Sequence, residues 1–531
     1  MGLNKHRIQP GGPAPVSCQA SLNETRACAI SGAGLHGLVW FISLGMLMVG
    51  QGCLMGEDYH RPSTPPVPMW DAMLEGEKNA TVRLDSMKEP DVDWWRLFGN
   101  DELNQLMDQA LRQNHDVRRA AFRIMEARAL MVGSRAGLFP QLTAVGSESN
   151  IQVSKNTLAG LGLASSPGAA SQTFATPGKR FTLYNTAMDL SWELDLWGRI
   201  RRGLEAATAD AEALEHDQRG VILTMLGDLG AGYFELRELD ELIELAERTL
   251  HTRRDSFEII TSRYRAGLAT GLDVKRTEEL VESVAAQIPE YRRLRAVALH
   301  HIDALVGSEP GGVVLTSKPL RAVVAQPVIP VGLPSQILER RPDILEAERS
   351  LASANAHIGE ARAYFFPTLA ITGAGGLQSV HLGNWLTSNS RSYTIGPSVT
   401  LPIFSGGTNV ARLANAEARY QELLEQYRQT IVNAFREVAD LLIAVRTRAD
   451  QREHQQKQVE AAREARHLAE QRYLGGIADY LNVLDAEREI LSAETTLVQT
   501  EYARLNDLVM LFKALGGGWK PGDEPPGLSV R

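Results

Sequence analysis

Two stretches, roughly residues 205–265 and 408–473, contain no proline and keep a helical pattern from end to end. In the second, Tyr420, Leu424, Tyr427, Ile431, Ala434, Val438, Leu441 and Val445 recur at alternating spacings of four and three, a heptad seam. Phe435 and Leu442 add an offset line beside it, as expected of a helix touching neighbours on both sides. In the first, Ile222, Leu226, Leu229, Tyr233 and Leu236 repeat the spacing. A helix of about 60 residues reaches about 90 Å at ~1.5 Å rise per residue. A compact domain cannot enclose that, so these are expected to be coiled-coil or tube-forming helices.

The long helix occurs twice because the chain repeats itself. In "GSRAGLFPQLTAVG" (133–146) and "EARAYFFPTLAITG" (360–373), Arg135, Phe139, Pro140, Leu142 and Gly146 match Arg362, Phe366, Pro367, Leu369 and Gly373. Next "LDLWG" (194–198) parallels "LPIFSGG" (401–407), and "RYRAGLATGLDV" (263–274) parallels "RYLGGIADYLNV" (472–483). The first half is longer because it carries the loop "TLAGLGLASSPGAASQTFATPGK", rich in glycine, alanine and serine. Each half is expected to run helix, strand pair, long helix, glycine break, shorter helix. In the strand pairs Met188, Leu190, Trp192 and Leu194, and likewise Tyr393, Ile395, Val399 and Leu401, take every second position or nearly so. Such a period suits a membrane strand, apolar outward and polar inward, and equally a half-buried strand of a soluble sheet. The breaks at "RAGLATGLD" and "LGGIADYLN" turn the chain back. Five prolines make 307–335 an extended connector.

The N-terminus supplies a location. Leu35–Gly50 is one apolar run of 16 residues, short of the ~20 needed to span a bilayer and near the ~7–15 of a signal-peptide core. It ends close to Cys53. The other two cysteines, Cys18 and Cys28, precede the run, and no CxxC or Cys/His cluster occurs, so neither a zinc site nor a disulfide framework is expected. Cleavage before Cys53 would leave one N-terminal thiol, the attachment point of the diacylglycerol in a bacterial lipoprotein. The alternative is an incidental cysteine, and Gly50 stands where a lipobox ordinarily has leucine. "GAGLHG" (32–37) fits GxGxxG but lies between a polar leader and the apolar run, not in a strand–helix unit, so no dinucleotide is expected. A formal net charge of −9 with 22% charged residues gives no basic nucleic-acid surface. GxSxG, HExxH and P-loop patterns are missing, and His300–His301 falls on a helical stretch. No catalytic residue, metal ligand or cofactor is expected beyond the covalent N-acyl and S-diacylglycerol lipid on Cys53, and the protein is not read as an enzyme.

Past residue 53 no apolar run approaches ~20 residues, so no transmembrane helix is expected. Four strands per chain cannot close a membrane barrel, whose smallest forms have about eight, and an open edge in lipid leaves backbone groups unsatisfied. Closure calls for oligomerisation, and three chains would supply twelve strands.

The segment "GLPSQILERRPDILEAERSLASANAHIGEARAYFFPTLAITGAGG" (332–376) is similar to the outer-membrane efflux protein family, the TolC-like channels. "GCLMGEDYHRP", "WWRLFGNDELNQLMDQAL", "SWELDLWGRIRR" and "LGGGW" resemble its NodT-type lipoprotein branch, which serves resistance-nodulation-division pumps. The resemblance covers nearly all of the chain after the leader. It implies a mostly α chain with membrane β: a homotrimer with a twelve-stranded outer-membrane β-barrel continued by a long periplasmic α-helical barrel. It also implies a lipid-anchored location in the bacterial outer membrane, docking to a periplasmic membrane-fusion adaptor and an inner-membrane resistance-nodulation-division transporter, and a passive exit duct for drugs and toxic compounds. The weaker alternative is a non-porous trimeric coiled-coil structural or adhesin lipoprotein. Carried over from the family, Leu481 is the apolar constriction of the periplasmic gate, Asp485 its acidic ring and Arg488 the ring's nearby partner, while Gly267 and Gly476 are adaptor-contacting tips. On a three-fold axis one aspartate becomes three clustered carboxylates; the alternative is an ordinary i,i+3 surface pair. The first half has Arg276 where the second has Asp485, so the halves are not interchangeable there. The expected organisation is a signal peptide over 1–52, a lipid-anchored segment over 53–100, repeats over 101–306 and 342–516, a connector over 307–341 and a tail over 517–531.

Overall fold

The computed structural model describes residues 54–63, 84–85, 93–152, 154, 156, 180–322, 329–330 and 334–517, all within one compact unit, Gly52–Arg531. The expected signal peptide and Cys53 lie outside the described residues. Among the described residues no helix is long and apolar enough to cross a membrane.

The two-residue strands β1 (Leu84–Asp85) and β4 (Ile329–Pro330) pair in parallel. The first repeat opens with two helices, α1 (Asp101–Gln113) and α2 (His115–Ala136). Asn114 divides them. Its side chain accepts from the N–H groups of Asp116 and Val117, capping α2, and its amide donates to the carbonyl of Leu305 at 2.7 Å. Strands β2 (Gln141–Gln152) and β3 (Arg180–Leu194) follow, then α3 (Arg199–Arg265) and α4 (Gly271–Val306). A capping box between Thr270 and Asp273 starts α4. The connector, expected to be extended, contains a further helix, α5 (Pro334–Arg340), with proline at its first position, where the missing N–H is not needed. The second repeat runs α6 (Pro342–Ala363), β5 (Thr368–Ser379), β6 (Arg391–Thr400), α7 (Thr408–Leu474) and α8 (Leu481–Ala514). The two long helices, α3 and α7, have 67 residues each, about 100 Å at ~1.5 Å per residue.

The four long strands form one antiparallel sheet in the order β2-β3-β5-β6. The helical layer continues that order, with α2 on α3, α3 on α6 and α6 on α7. Farther along, α4 coils against α3, α8 against α7, and α8 also packs on α3. The seam residues Ile222, Leu226, Leu229, Tyr233 and Leu236 are all buried, as are Tyr427, Ile431, Ala434, Val438 and Val445; Leu442 of the offset line is buried too, and Tyr420, Leu424, Leu441 and Phe435 are half-buried against the same core. The main core gathers around the "WWRLF" turn. Trp94 stacks on Phe512 of α8 at 5.3 Å and Phe98 tilts against Phe234 of α3 at 5.1 Å. Beside it the buried Arg237 donates to Asp240 at 2.8 Å, Glu102 at 3.0 Å and the Thr316 carbonyl at 2.6 Å, fastening the connector to α1 and α3.

Candidate functional site

Three places concentrate unusual features: the sheet, the strap after Cys53 and the far turns of the helices. In the sheet, residues paired across antiparallel strands share a face, so the register sorts side chains. In the part of the sheet nearer the helices, one face carries the rows Leu142–Leu190–Gly373–Ile395, Trp192–Ile371–Pro397, Leu194–Leu369–Val399 and Met188–Gly375–Tyr393. The other carries Thr143–Asp189–Ala374–Thr394, Gln141–Ser191–Thr372–Gly396 and Glu193–Ala370–Ser398. Neither face is covered: β2 and nearly all of β6 are exposed, with Tyr393, Ile395 and Val399 among the largest exposed apolar groups. Among the described residues β2 and β6 each have one strand neighbour, so each leaves an edge open. Aromatic side chains gather where the sheet meets the helices. Trp197 stacks on Phe366 at 4.9 Å and donates Nε1 to the Pro367 carbonyl at 2.7 Å, and Trp192 donates to the Leu138 carbonyl at 3.0 Å.

Residues 54–63 form the strap, which begins at this same junction. Met55 N–H donates to the Trp197 carbonyl at 3.1 Å. The clasp is Arg202, which is buried: Nε donates to the Met55 carbonyl at 3.0 Å, Nη2 to the Gly56 carbonyl at 3.0 Å and to Asp58 at 2.9 Å, and Nη1 to Glu205 at 2.7 Å. The backbone of α6 comes so close that a β-carbon on Gly359 would sit 2.5 Å from the Met55 oxygen. Farther on, Asn355 donates to the Glu57 carbonyl at 3.0 Å, and Arg61 reaches Glu348 at 3.1 Å and the Tyr427 hydroxyl at 3.3 Å. Sequence reasoning missed Arg202, because one arginine in "GRIRR" carries no sign of what it binds.

At the far end, the turns after α3 and α7 are built alike. Leu268 N–H donates to the Arg263 carbonyl and Ile477 N–H to that of Arg472, while Gly267 and Gly476 donate to Tyr264 and Tyr473. Gly267 (φ +74°) and Gly476 (φ +70°) sit in left-handed conformation with open space about them. Leu268, Leu272, Leu474 and Ile477 are exposed around them.

Leu481, Asp485 and Arg488 fall on one exposed stripe of the first turns of α8, opposite buried Val483, Leu484 and Glu487. Arg488 pairs with Glu279 of α4 at 2.8 Å. The ion pair therefore joins α8 to the first-repeat hairpin, and among the described residues no Asp485–Arg488 bridge forms. Beneath the stripe lies a polar group that sequence reasoning also passed over, centred on Glu487, Arg253, Ser256 and Tyr480, whose hydroxyl burial pushes up to about 12. Higher up, a cleft of about 910 Å³ opens among α3, α6 and α7, lined by Asp210, Glu346, His357, Glu360, Arg412 and Arg419. There burial, with Asp217 and Asp343, raises Glu346 to about 7, and the Glu360 hydrogen bond at 3.0 Å raises His357. Among the described residues no cluster of three or more His, Cys, Asp or Glu side chains is placed to hold a metal ion.

The profile of the outer membrane efflux protein family matches residues 106–308 and 333–517. The antibiotic efflux pump outer membrane protein ArpC of Pseudomonas putida is 33% identical over 469 residues, 88% of this chain and 93% of that protein. The cation efflux system protein CusC of Escherichia coli is 32% identical over 472 residues, 88% of this chain and 96% of that one. Among solved structures, the outer-membrane channel OprN superposes with a TM-score of 0.77 at 32% identity, covering 88% of this chain and all of that one.

Proposed function

The chain belongs to the outer membrane efflux protein family, and from that membership we propose that it is the outer-membrane channel of a tripartite efflux system, a passive exit duct for small molecules from periplasm to exterior. The observation that carries the reading is the sheet, which in the part nearer the helices has one apolar and one polar face and which, among the described residues, leaves two open edges. Lipid tolerates no open edge, so three copies join β6 to the next chain's β2 and close twelve strands into a barrel in the outer membrane. The helical layer, in the same order, extends the wall into the periplasm. A non-porous scaffold or adhesin has no use for such a sheet.

The remaining roles follow from this arrangement. Gly267 and Gly476, exposed among apolar side chains, present the tips to a periplasmic adaptor, which links the duct to an inner-membrane resistance-nodulation-division transporter. Leu481 and Asp485 narrow the periplasmic mouth, and Arg488 holds their helix through Glu279. Cys53 carries the lipid, because the strap begins one residue later at the aromatic rim of the sheet. The duct supplies no energy, so cargo is chosen upstream; the relatives named above for antibiotics and for cations fit one fold serving different pumps.

Conductance of the purified protein in planar bilayers tests the reading. Discrete ion-conducting steps are expected, and a sealed bilayer under all gating conditions would overturn it. Mass spectrometry of the mature N-terminus tests the lipid, with acylated Cys53 expected.

A further inference from the structure

Three acids stand seven residues apart along α8, Glu487, Glu494 and Glu501, and all are largely buried. Each is a rung between α8 and its neighbours. Glu501 meets Arg452 of α7 at 2.6 Å and Arg504 at 2.7 Å. Glu494 is held from both hairpins, by Arg248 of α3 at 3.2 Å and Arg463 of α7 at 3.1 Å. The rung nearest the turn differs. Glu487 Oε1 has only Ser256 Oγ at 3.5 Å and Arg466 Nη2 at 3.9 Å, and Oε2 has no hydrogen-bond partner among the described residues. Arg253, also buried, donates Nη1 to the Leu280 carbonyl at 2.8 Å, and its Nε is unpartnered.

We propose that the Glu494 rung is the pivot of the α7/α8 hairpin, and that under-paired Glu487 keeps the end of α8 below it poised to part from α3, carrying the Leu481–Asp485–Arg488 stripe along. The proposal rests on the channel reading above and adds where the mouth bends and what loads it.

The charged groups that bear on Glu487 are Arg253 of α3 and Arg466 and Glu470 of α7, with the Tyr480 hydroxyl at the α8 start, while Glu279 of α4 and Arg488 of α8 bear on Arg253. Burial outweighs Arg466 and Arg253 and holds the Glu487 carboxyl above its ordinary range, while burial holds Arg253 below its own. Both buried charges are therefore incompletely compensated. A carboxyl raised in the packed state binds its proton more tightly there than in the parted state. Acid therefore firms the packing, and the firmness is lost as pH rises from the ordinary glutamate range through the raised value. A simple charge clamp would loosen in acid; this rung does the reverse.

Spin labels at Arg254 of α3 and Glu489 of α8, both exposed, read the opening in the full-length protein in detergent. The distance distribution is expected to be narrow at about pH 5 and broader at about pH 8. Glu487→Gln should keep it narrow at both, whereas Glu494→Gln should broaden it at both. If Glu487→Gln fails to fold, the double variant Arg253→Met/Glu487→Met, which removes both buried charges, serves in its place. A distribution that does not change with pH, or that Glu487→Gln widens, overturns the proposal. The labels move whether or not ions pass, so label movement in a protein that never conducts would defeat the channel reading and leave the pivot standing.

Discussion

Arg202 holds Met55: the guanidinium Nε donates to the Met55 carbonyl oxygen at 3.0 Å, from a side chain with almost no contact with water. The strap and the α3–α6 crossing therefore complete one another, since an unseated strap leaves a buried cation short of acceptors.

Replacing Arg202 by methionine should destabilise the protein by about 2–3 kcal/mol, because the Met55 and Gly56 carbonyls lose their donor. Gly359→Ala should displace the strap by a different route, since the added carbon overlaps the Met55 oxygen at 2.5 Å. Limited proteolysis near Asp58 reports both, and an unchanged cleavage rate in both variants would refute the clasp.

The register predicts opposite outcomes for charges placed on neighbouring strand positions. Ile395→Lys puts an ammonium on the apolar face and should cost about 2–4 kcal/mol if it lies near the bilayer midplane. Ser398→Lys, on the polar face, should be tolerated and change ion selectivity instead. Urea refolding into lipid vesicles measures the first effect, and reversal potentials measure the second.

Asp485→Ala should raise conductance or antibiotic leakage if the carboxylate helps to narrow the mouth. The Arg488–Glu279 pair is exposed on both sides, so a double-mutant cycle on stability should return no more than about 1 kcal/mol. Single-channel recording separates the two roles, and unchanged conductance in well-folded Asp485→Ala protein removes Asp485 from the gate.

Glu238 on α3 is raised to about 7 by burial and by Glu235. A carboxyl raised in the folded state contributes stability below its unfolded value, and that contribution is lost as pH rises through the folded one. Glu238→Gln should therefore stabilise the protein near pH 8 by about 1–2 kcal/mol, allowing for partial exposure, with the gain vanishing near pH 5. Thermal melts at the two pH values check the sign.

Periodicity made the long helices legible, because burying one stripe of a rod forces a repeat that a reader can count. Both expected lines of α7 are seen, since Leu442 is buried and Leu441 is half-buried against the same core, as a helix touching neighbours on two sides requires. The sheet's two faces were partly legible in Met188, Leu190, Trp192 and Leu194, but β2 alternates weakly, and only its pairing with β3 assigns its faces. The partner of Arg488 was not legible. Asp485 lies one turn away along the helix, but Glu279 stands across a tertiary contact more than 200 residues distant in sequence. Glu487 and Arg202 share that property, since their meaning depends on what surrounds them. The connector hid α5 because five prolines suggest extension, even though proline at a first position also begins helices.

The open edges of β2 and β6 have a genetic consequence. In the proposed trimer, where three chains would share one closed sheet, a chain with a spoiled edge would waste the two sound chains it joins. In a cell making sound and damaged copies together, the intact channels of such a trimer would fall as the cube of the sound fraction. Edge lesions should therefore act dominantly, while lesions confined to one chain's turns should be diluted.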